Sequence, residues 1–499
     1  MVSFKTVAIR VIPGDRCPST DRSVRVRSTR KQAVTDASRS RRIRLATGSR
    51  ESPIARSIGG GAEAVLGTDR RVFTLAFARM ADAVSNSFLI IVLPIYIASG
   101  GVGIEGLVGR EIAGFVLGEQ FLIGLVLSLF GFLNSFGQPF SGRLSDRTGE
   151  RRVYIVLGLA ILAVASAAYP FVEGYGGILV VRAFQGLGAA FTIPCSVALV
   201  NEYAGVDSQR GGNFGVFNTF RLIGFGFGPI VAGIVIAGGF GRGGVAEYAI
   251  AGVSLSGFEA AFGIAVLGAL ISIVLVTVFI RDSETTEAAA GDLSVAVFDR
   301  ESSKLFDPVF VLGIGTFFMA VTIALFATLE GPLRAKLDES TFLFGVQFAS
   351  VVIANVVLQV PIGNASDIYG RRPFLVAGFA LLIPTVFVQG IIASPFVMIV
   401  ARLLQGVAVA LVFAPALALA GDLAGDRESG TTLSVLTMAF GLGVAVGPLA
   451  SGFLYNIGSV STPFTFGAVL AALAFVLTYS QVEDSLSKPE TSPEGTPQD

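Results

Sequence analysis

Five residues able to do chemistry sit where the chain is otherwise apolar: Arg79, Asp82, Arg182, Gln185 and Arg221. A charged group within a run long enough to cross a bilayer is costly, and it normally faces a partner or a water-filled cavity. A carboxylate beside an arginine in such a place can do proton work. Desolvation favours its neutral form and the guanidinium its charged form, so relative movement of the two changes its hold on a proton. Asp82 is the acidic residue read as lying deep in a span, about eleven residues in, or about 16 Å at helical rise. Arg182 enters its own run from the opposite side to a similar depth and is the preferred partner. Arg79, three residues from Asp82 and on the same helical face, and Arg221 are the rivals. A pair formed by Arg79 and Asp82 alone would be structural.

The elements that must position these residues are membrane spans. Of 499 residues, 53% are hydrophobic and only 14% charged, far from the balance of a soluble domain. Apolar runs occupy about 71–97, 119–141, 153–173, 176–200, 213–239 and 260–280, then 308–329, 342–363, 374–393, 395–420, 432–457 and 464–482. Each can cross a bilayer, and helices are the form that satisfies backbone hydrogen bonds there. With no histidine and two cysteines, Cys17 and Cys195, the chain offers no histidine-based acid–base chemistry, disulfide framework or metal site. No catalytic dyad stands out, and no enzyme, cofactor or nucleic-acid partner is expected.

Three motifs recur at one offset of about 220 residues. Gly142-Arg143-Leu144-Ser145-Asp146-Arg147-Thr148-Gly149-Glu150-Arg151-Arg152, read as a turn between spans 2 and 3, is matched by Gly363-Asn364-Ala365-Ser366-Asp367-Ile368-Tyr369-Gly370-Arg371-Arg372. Arg182-Ala183-Phe184-Gln185-Gly186 in span 4 is echoed by Arg402-Leu403-Leu404-Gln405-Gly406 in span 10. Gly228-Pro229 with Gly233 in span 5 is echoed by Gly447-Pro448 with Gly452 in span 11. Three motifs at a common offset mean a duplicated six-helix unit.

These residues resemble the major facilitator superfamily, whose loop between helices 2 and 3 reads G-x-L-small-D-R-x-G-basic-basic. Glu150 and Ile368 depart from that pattern. The resemblance covers about residues 70–482. It implies an all-α integral membrane fold: twelve transmembrane helices in two pseudosymmetric six-helix bundles that rock about a central cavity. It also implies that Asp146 faces a helix N-terminus and latches helices 2 and 11, with Asp367 doing the same across helices 8 and 5. Arg182 takes the position of a family arginine implicated in proton coupling, whereas Arg402 lies in the half less often tied to protons. Gly215, Gly224, Gly228-Pro229 and Gly233, with Ala232 replacing one glycine, resemble the twelve-helix drug/proton antiporter signature. Gly224 and Gly228 lie one turn apart and permit close helix packing, and Pro229 bends the helix.

The expected activity is alternating-access transport of a small organic solute, as proton-coupled efflux. Uptake or facilitated diffusion of a metabolite such as a sugar or organic anion is the alternative, and a membrane sensor a remoter one. The expected domains are a disordered basic tail over 1–65, bundles over 66–282 and 308–482, a linker over 283–307 and a disordered acidic tail over 483–499. Residues 1–57 carry 12 Arg and 2 Lys against 4 acidic residues, show no periodicity and contain no signal-peptide run. Arg143, Arg147, Arg151, Arg152, Arg210, Arg281, Arg300, Lys304, Arg371, Arg372 and Arg427 gather on one side, against Arg110, Arg242, Arg334 and Lys336 on the other. That bias puts both termini in the cytoplasm, in a multi-pass protein of the cell membrane, expected to be monomeric.

Overall fold

The computed structural model describes residues 64–65, 68–203, 207–241, 244–250, 252–283 and 305–484, leaving aside side chains at 64–68, 207–211, 250 and 424–434. The basic tail, the linker and the acidic tail fall almost wholly outside these residues.

Among the described residues, twelve helical spans run from α1 (Arg70–Ala98) through α2 (Glu119–Thr148), α3 (Arg151–Ala168), α4 (Tyr175–Glu202), α5 (Asp207–Ala237) and α6 (Gly257–Phe279). The second set begins with α7 (Pro308–Ala324), which with the short α8 (Glu330–Leu337) forms one span, and continues through α9 (Thr341–Tyr369) and α10 (Arg372–Gln389). α11 (Pro395–Ile457) carries two spans, Pro395–Leu423 and Val435–Ile457, and α12 (Ser461–Gln481) completes the set. All twelve apolar runs read from the sequence are thus helices, because at this hydropathy only a helix pairs every peptide group within its own segment. Short hairpins, Ala64–Val65 with Thr68–Asp69, Glu111–Ile112 with Phe115–Val116, and Glu247–Ile250 with Val253–Ser256, decorate the helical body.

Helix starts follow local chemistry. Asp69 caps α1, Ser340 caps α9, and Ser256 with Glu259 closes a reciprocal capping box on α6, each satisfying amides that have no partner within the helix. At the other end of α2, Gly149 stops the helix with φ of 72°, a left-handed conformation that glycine adopts without a Cβ penalty. One correction follows. The segment from Gly142 to Thr148 is the end of α2, and the turn is confined to Gly149 and Glu150. Likewise Gly363 to Tyr369 belong to α9, and Gly370 makes the break.

The two bundles meet along α2 with the second span of α11, and along α5 with α9. The contact concentrates away from the end where α2 meets α3, called the loop end below. Towards the far end, a Cβ on Gly124 would strike the Pro448 carbonyl, and one on Gly345 would strike that of Pro229. Gly452 abuts Gln120 and Phe121, and Gly233 would place a Cβ 2.8 Å from both the Thr341 oxygen and the Phe342 Cα. The two seams are copies: each glycine–proline helix presses its proline carbonyl on a glycine of the other bundle. Small residues let backbones approach this closely where burial in lipid supplies no hydrophobic drive. Ser128 adds a hydrogen bond, accepting from the Leu449 amide at 2.9 Å. Near the loop end the seam helices show no such glycine contacts: a Cβ on Gly215 of α5 or Gly363 of α9 would meet nothing within 4 Å. Among the described residues, the close contacts between the bundles thus lie from the middle of these helices to the far end.

Candidate transport path and coupling site

α1 places Arg79 and Asp82 one turn apart, and the two form an ion pair with 8% and 2% of their surfaces exposed. The pairing is local to one helix. Arg221 lies across from it on α5 and donates to Asn218 Oδ1 at 3.1 and 2.9 Å. Gly224 and Gly228 bring α5 against α1: their Cα faces meet the carbonyls of Met80 and Val84, and Ser87 Oγ donates to the Gly224 carbonyl at 3.3 Å. These two glycines therefore pack within one bundle, while Gly233 on the same helix packs between bundles.

Arg182, 2% exposed on α4, takes different partners. Its Nη1 donates to Gln185 Oε1 at 3.0 Å, its Nε to the Val126 carbonyl at 3.4 Å, and its guanidinium lies 4.8 Å from the centre of the Phe130 ring. Gln185 also accepts from the Tyr169 hydroxyl at 2.8 Å and donates to Ser166 Oγ at 2.9 Å. The preferred pair Asp82–Arg182 is thus not formed. A small cavity lined by Asp82, Ser85, Asn86, Ser166 and Gln185 lies between the two systems. Asp82, Arg79, Arg182 and Gln185 share one buried region of the first bundle, and Gln185, not Arg182, meets Asp82 across the cavity.

The second bundle repeats this arrangement. Arg402 Nη1 donates to Gln405 Oε1 at 2.7 Å, its Nε to the Gln347 carbonyl at 3.2 Å, and its guanidinium sits 4.1 Å from the centre of the Phe326 ring. Gln389, in the place of Tyr169, donates to Gln405 Oε1 at 3.0 Å. The R-x-x-Q-G spacing explains both copies: arginine and glutamine three residues apart meet on one face, and the following glycine lets the neighbouring helix approach.

At the loop end, Asp146 is ion-paired with Arg151, the first residue of α3. Arg151 also reaches Glu202 at 3.1 Å and Ser145 Oγ at 2.7 Å. The Arg152 amide donates to Asp282 at 2.7 Å, and Arg147 points outward. In the second copy Arg371 pairs with Asp367, and with Asp422 at 2.7 Å, while its amide donates to Asp484 at 3.1 Å. Both aspartates hold the arginine just past their own turn. In this structure both aspartates pair within their own bundle, and the latch across bundles implied by the resemblance is not formed by these pairs. Gly447, with Pro448 beyond it, packs on Val321 and Ala324 of its own bundle.

Sequence reading missed several polar residues. Glu330 and Glu339 are 2% and 5% exposed, and Glu202 is buried beside Arg151, so Asp82 is not alone as a buried acid. These glutamates lie at the ends of apolar runs, where hydropathy reads a loop. The internal repeat was the available signal: Gln347 occupies the place that Val126 holds in the first bundle, since both offer the carbonyl to the motif arginine.

The family model of the Major Facilitator Superfamily matches residues 75–329 and 310–498. An uncharacterised MFS-type transporter of Methanocaldococcus jannaschii is 27% identical over 181 residues, 36% of this chain and 47% of that protein. One from Mycobacterium tuberculosis is 23% identical over 390 residues, 72% of this chain and 84% of its own. A solved bacterial homologue of the human lysosomal transporter Spinster, in an inward-facing and occupied conformation, superposes with a TM-score of 0.62 at 14% identity, covering 82% of this chain and 95% of that one. With the duplicated bundles, the paired R-x-x-Q-G arginines and the twelve spans, this makes the chain a multi-pass membrane transporter that belongs to the major facilitator superfamily.

Proposed function

We propose that this transporter exports a small organic solute across the cell membrane by alternating access, in exchange for protons, with both termini in the cytoplasm. The observation that carries the reading is the buried Arg79–Asp82 pair, set beside a small cavity shared with Gln185. A charge pair at that depth is costly unless its geometry is satisfied, and α1 rides on α5, whose far end is pressed into the seam at Gly233. Parting of that seam would shift α5 against α1 and change the surroundings of Asp82. Protonation of Asp82 would then release Arg79 and solvate the cavity, and loss of the proton would restore the pair. Arg182, held to Gln185, would transmit the change rather than titrate Asp82 directly. The arginines gathered at the loop end support a cytoplasmic loop end.

A second reading has its own support. Because Asp82 is already neutralised by a residue on its own helix, the pair could be structural and the transporter a facilitator. Purified protein in liposomes separates the two. Solute-dependent proton movement supports exchange, and solute flux with no proton movement supports facilitation. No flux of a panel of small organic solutes in either direction would overturn both.

A further inference from the structure

Glu339 sits in the link between α8 and α9 at the far end, just ahead of the Ser340 cap. Only 5% of it is exposed. Its Oε2 accepts from Nε2 of Gln347, a fully buried side chain two turns into α9. The remaining oxygens, Glu339 Oε1 and Gln347 Oε1, are both buried and have no hydrogen-bond donor. Two buried acceptors without a donor, on side chains already joined by one hydrogen bond, are an expensive arrangement. One proton resolves both: a neutral carboxyl donates its O–H to the amide oxygen while the amide N–H still donates to the other carboxyl oxygen.

We propose that Glu339 and Gln347 form a proton-binding site, in which one proton closes a carboxylic acid–amide pair beside the α5–α9 seam. The step is the addition of a proton from water to the carboxylate, with no other bond made or broken. Three structural links make it consequential. Thr341 and Phe342, two and three residues beyond Glu339, receive Gly233 of the opposite bundle, and Phe342 packs edge-on against Phe240 with ring centres 4.9 Å apart. The backbone carbonyl of Gln347 is the acceptor for Arg402. The first bundle has no counterpart, since Val126 stands where Gln347 does, so the second bundle alone joins its motif arginine to an acid in this way. The site is separate from Asp82 and holds whether or not Asp82 couples protons.

The charged groups around it are on α8 and in its link to α9. Arg334 favours the charged form and Glu330 opposes it, while the two pair with each other at 2.9 Å. Lys336 is turned to the Gly390 carbonyl at 2.7 Å, and Asp338 precedes the site in the chain. From the neighbouring span of α11, Arg402 arrives through the Gln347 backbone; α5 contributes apolar contacts. Burial, opposed by the Gln347 hydrogen bond and by Arg334, raises the Glu339 carboxyl to about 7.

Infrared difference spectroscopy of the full-length protein in nanodiscs, titrated from pH 5 to 9, tests the site. The expected result is a protonated-carboxyl band titrating near neutrality that Glu339→Gln removes. Arg334→Ala should move its midpoint up and Glu330→Gln should move it down, and Gln347→Leu, which removes the oxygen that accepts the proton, should shift it as well. A second measurement covers the seam: fluorescence distances between labels at the exposed far-end positions Phe171 and Ile391, in a background without Cys17 and Cys195. Wild-type distances should change through the same pH range, and those of Glu339→Gln should not. Overturning results are a neutral-range band that survives Glu339→Gln, a midpoint unmoved by all three neighbours, or sodium-dependent loss of the band at fixed pH.

Discussion

Asp82 is neutralised by Arg79, its neighbour one turn back on the same helix, and this makes Asp82 a question of mechanism and of folding at once. Asp82→Asn should abolish accumulation of solute against its gradient while leaving exchange down the gradient. It also leaves Arg79 buried without its counter-charge, at a cost of about 3–5 kcal/mol, so a lower melting temperature is expected. The double substitution Arg79→Met with Asp82→Leu should recover most of that stability and none of the coupling. Melting curves and counterflow assays check both halves; accumulation with normal pH dependence in Asp82→Asn would make the residue structural.

The seam glycines give a cleaner separation of closure from folding. Gly345→Ala drives a methyl into the Pro229 carbonyl across the bundle interface, and Gly233→Ala does so against Thr341 and Phe342. Each should hold the far end open without unfolding either bundle, seen as longer far-end label distances and slower turnover. Gly215→Ala, with open space around it, should change neither. Gly228→Ala should instead lower thermal stability, because its obstacle is Ser87 within the same bundle.

Asp146→Asn removes a charge that in this form belongs to Arg151. The opposite form, if it aims Asp146 at a helix N-terminus, loses about 0.3–1 kcal/mol, and the present form loses the ion pair with Arg151, so a population shift towards the present form marks the latch as the larger of the two. Distances across the loop end report it. An unchanged distribution, or a shift the other way, would deny the latch that weight.

Arg151 is the more demanding residue at that end. It is 2% exposed and reaches both Asp146 and Glu202. Arg151→Ala leaves Glu202 buried beside an empty place and should cost about 3 kcal/mol. Adding Glu202→Gln should restore part of the loss in a thermal-unfolding assay.

The spans and their duplication were legible because membrane hydropathy and a fixed motif offset depend on neither packing nor charge state. The pairing of Asp82 was not. Periodicity put Arg79 on its face, but depth alone also allowed Arg182, and the choice between them rests on Gln185 and Val126 having already taken up the Arg182 guanidinium. The extent of α2 was misread for a related reason. Charged residues from Arg143 to Arg147 look like a loop, yet they continue a helix until Gly149 supplies the left-handed stop. Glu339 and Gln347 escaped notice because their importance lies in two oxygen atoms without donors, and a sequence does not display hydrogen-bond accounts.

The neutral seam at the far end has an electrical consequence. Its contacts are glycine faces against proline and peptide carbonyls and the ring pairs Phe115–Phe453 and Phe240–Phe342, with uncharged hydrogen bonds from the Leu449 amide to Ser128 and from Asn456 to the Val116 carbonyl. A membrane potential does work on displaced charge, about 2.3 kcal/mol per elementary charge per 100 mV, and parting these surfaces displaces none. The seam therefore contributes no gating charge of its own. Voltage sensitivity of the cycle must enter with a charged passenger or with charges carried inside the bundles, such as Arg182 and Arg402, whose partners are glutamines and backbone carbonyls.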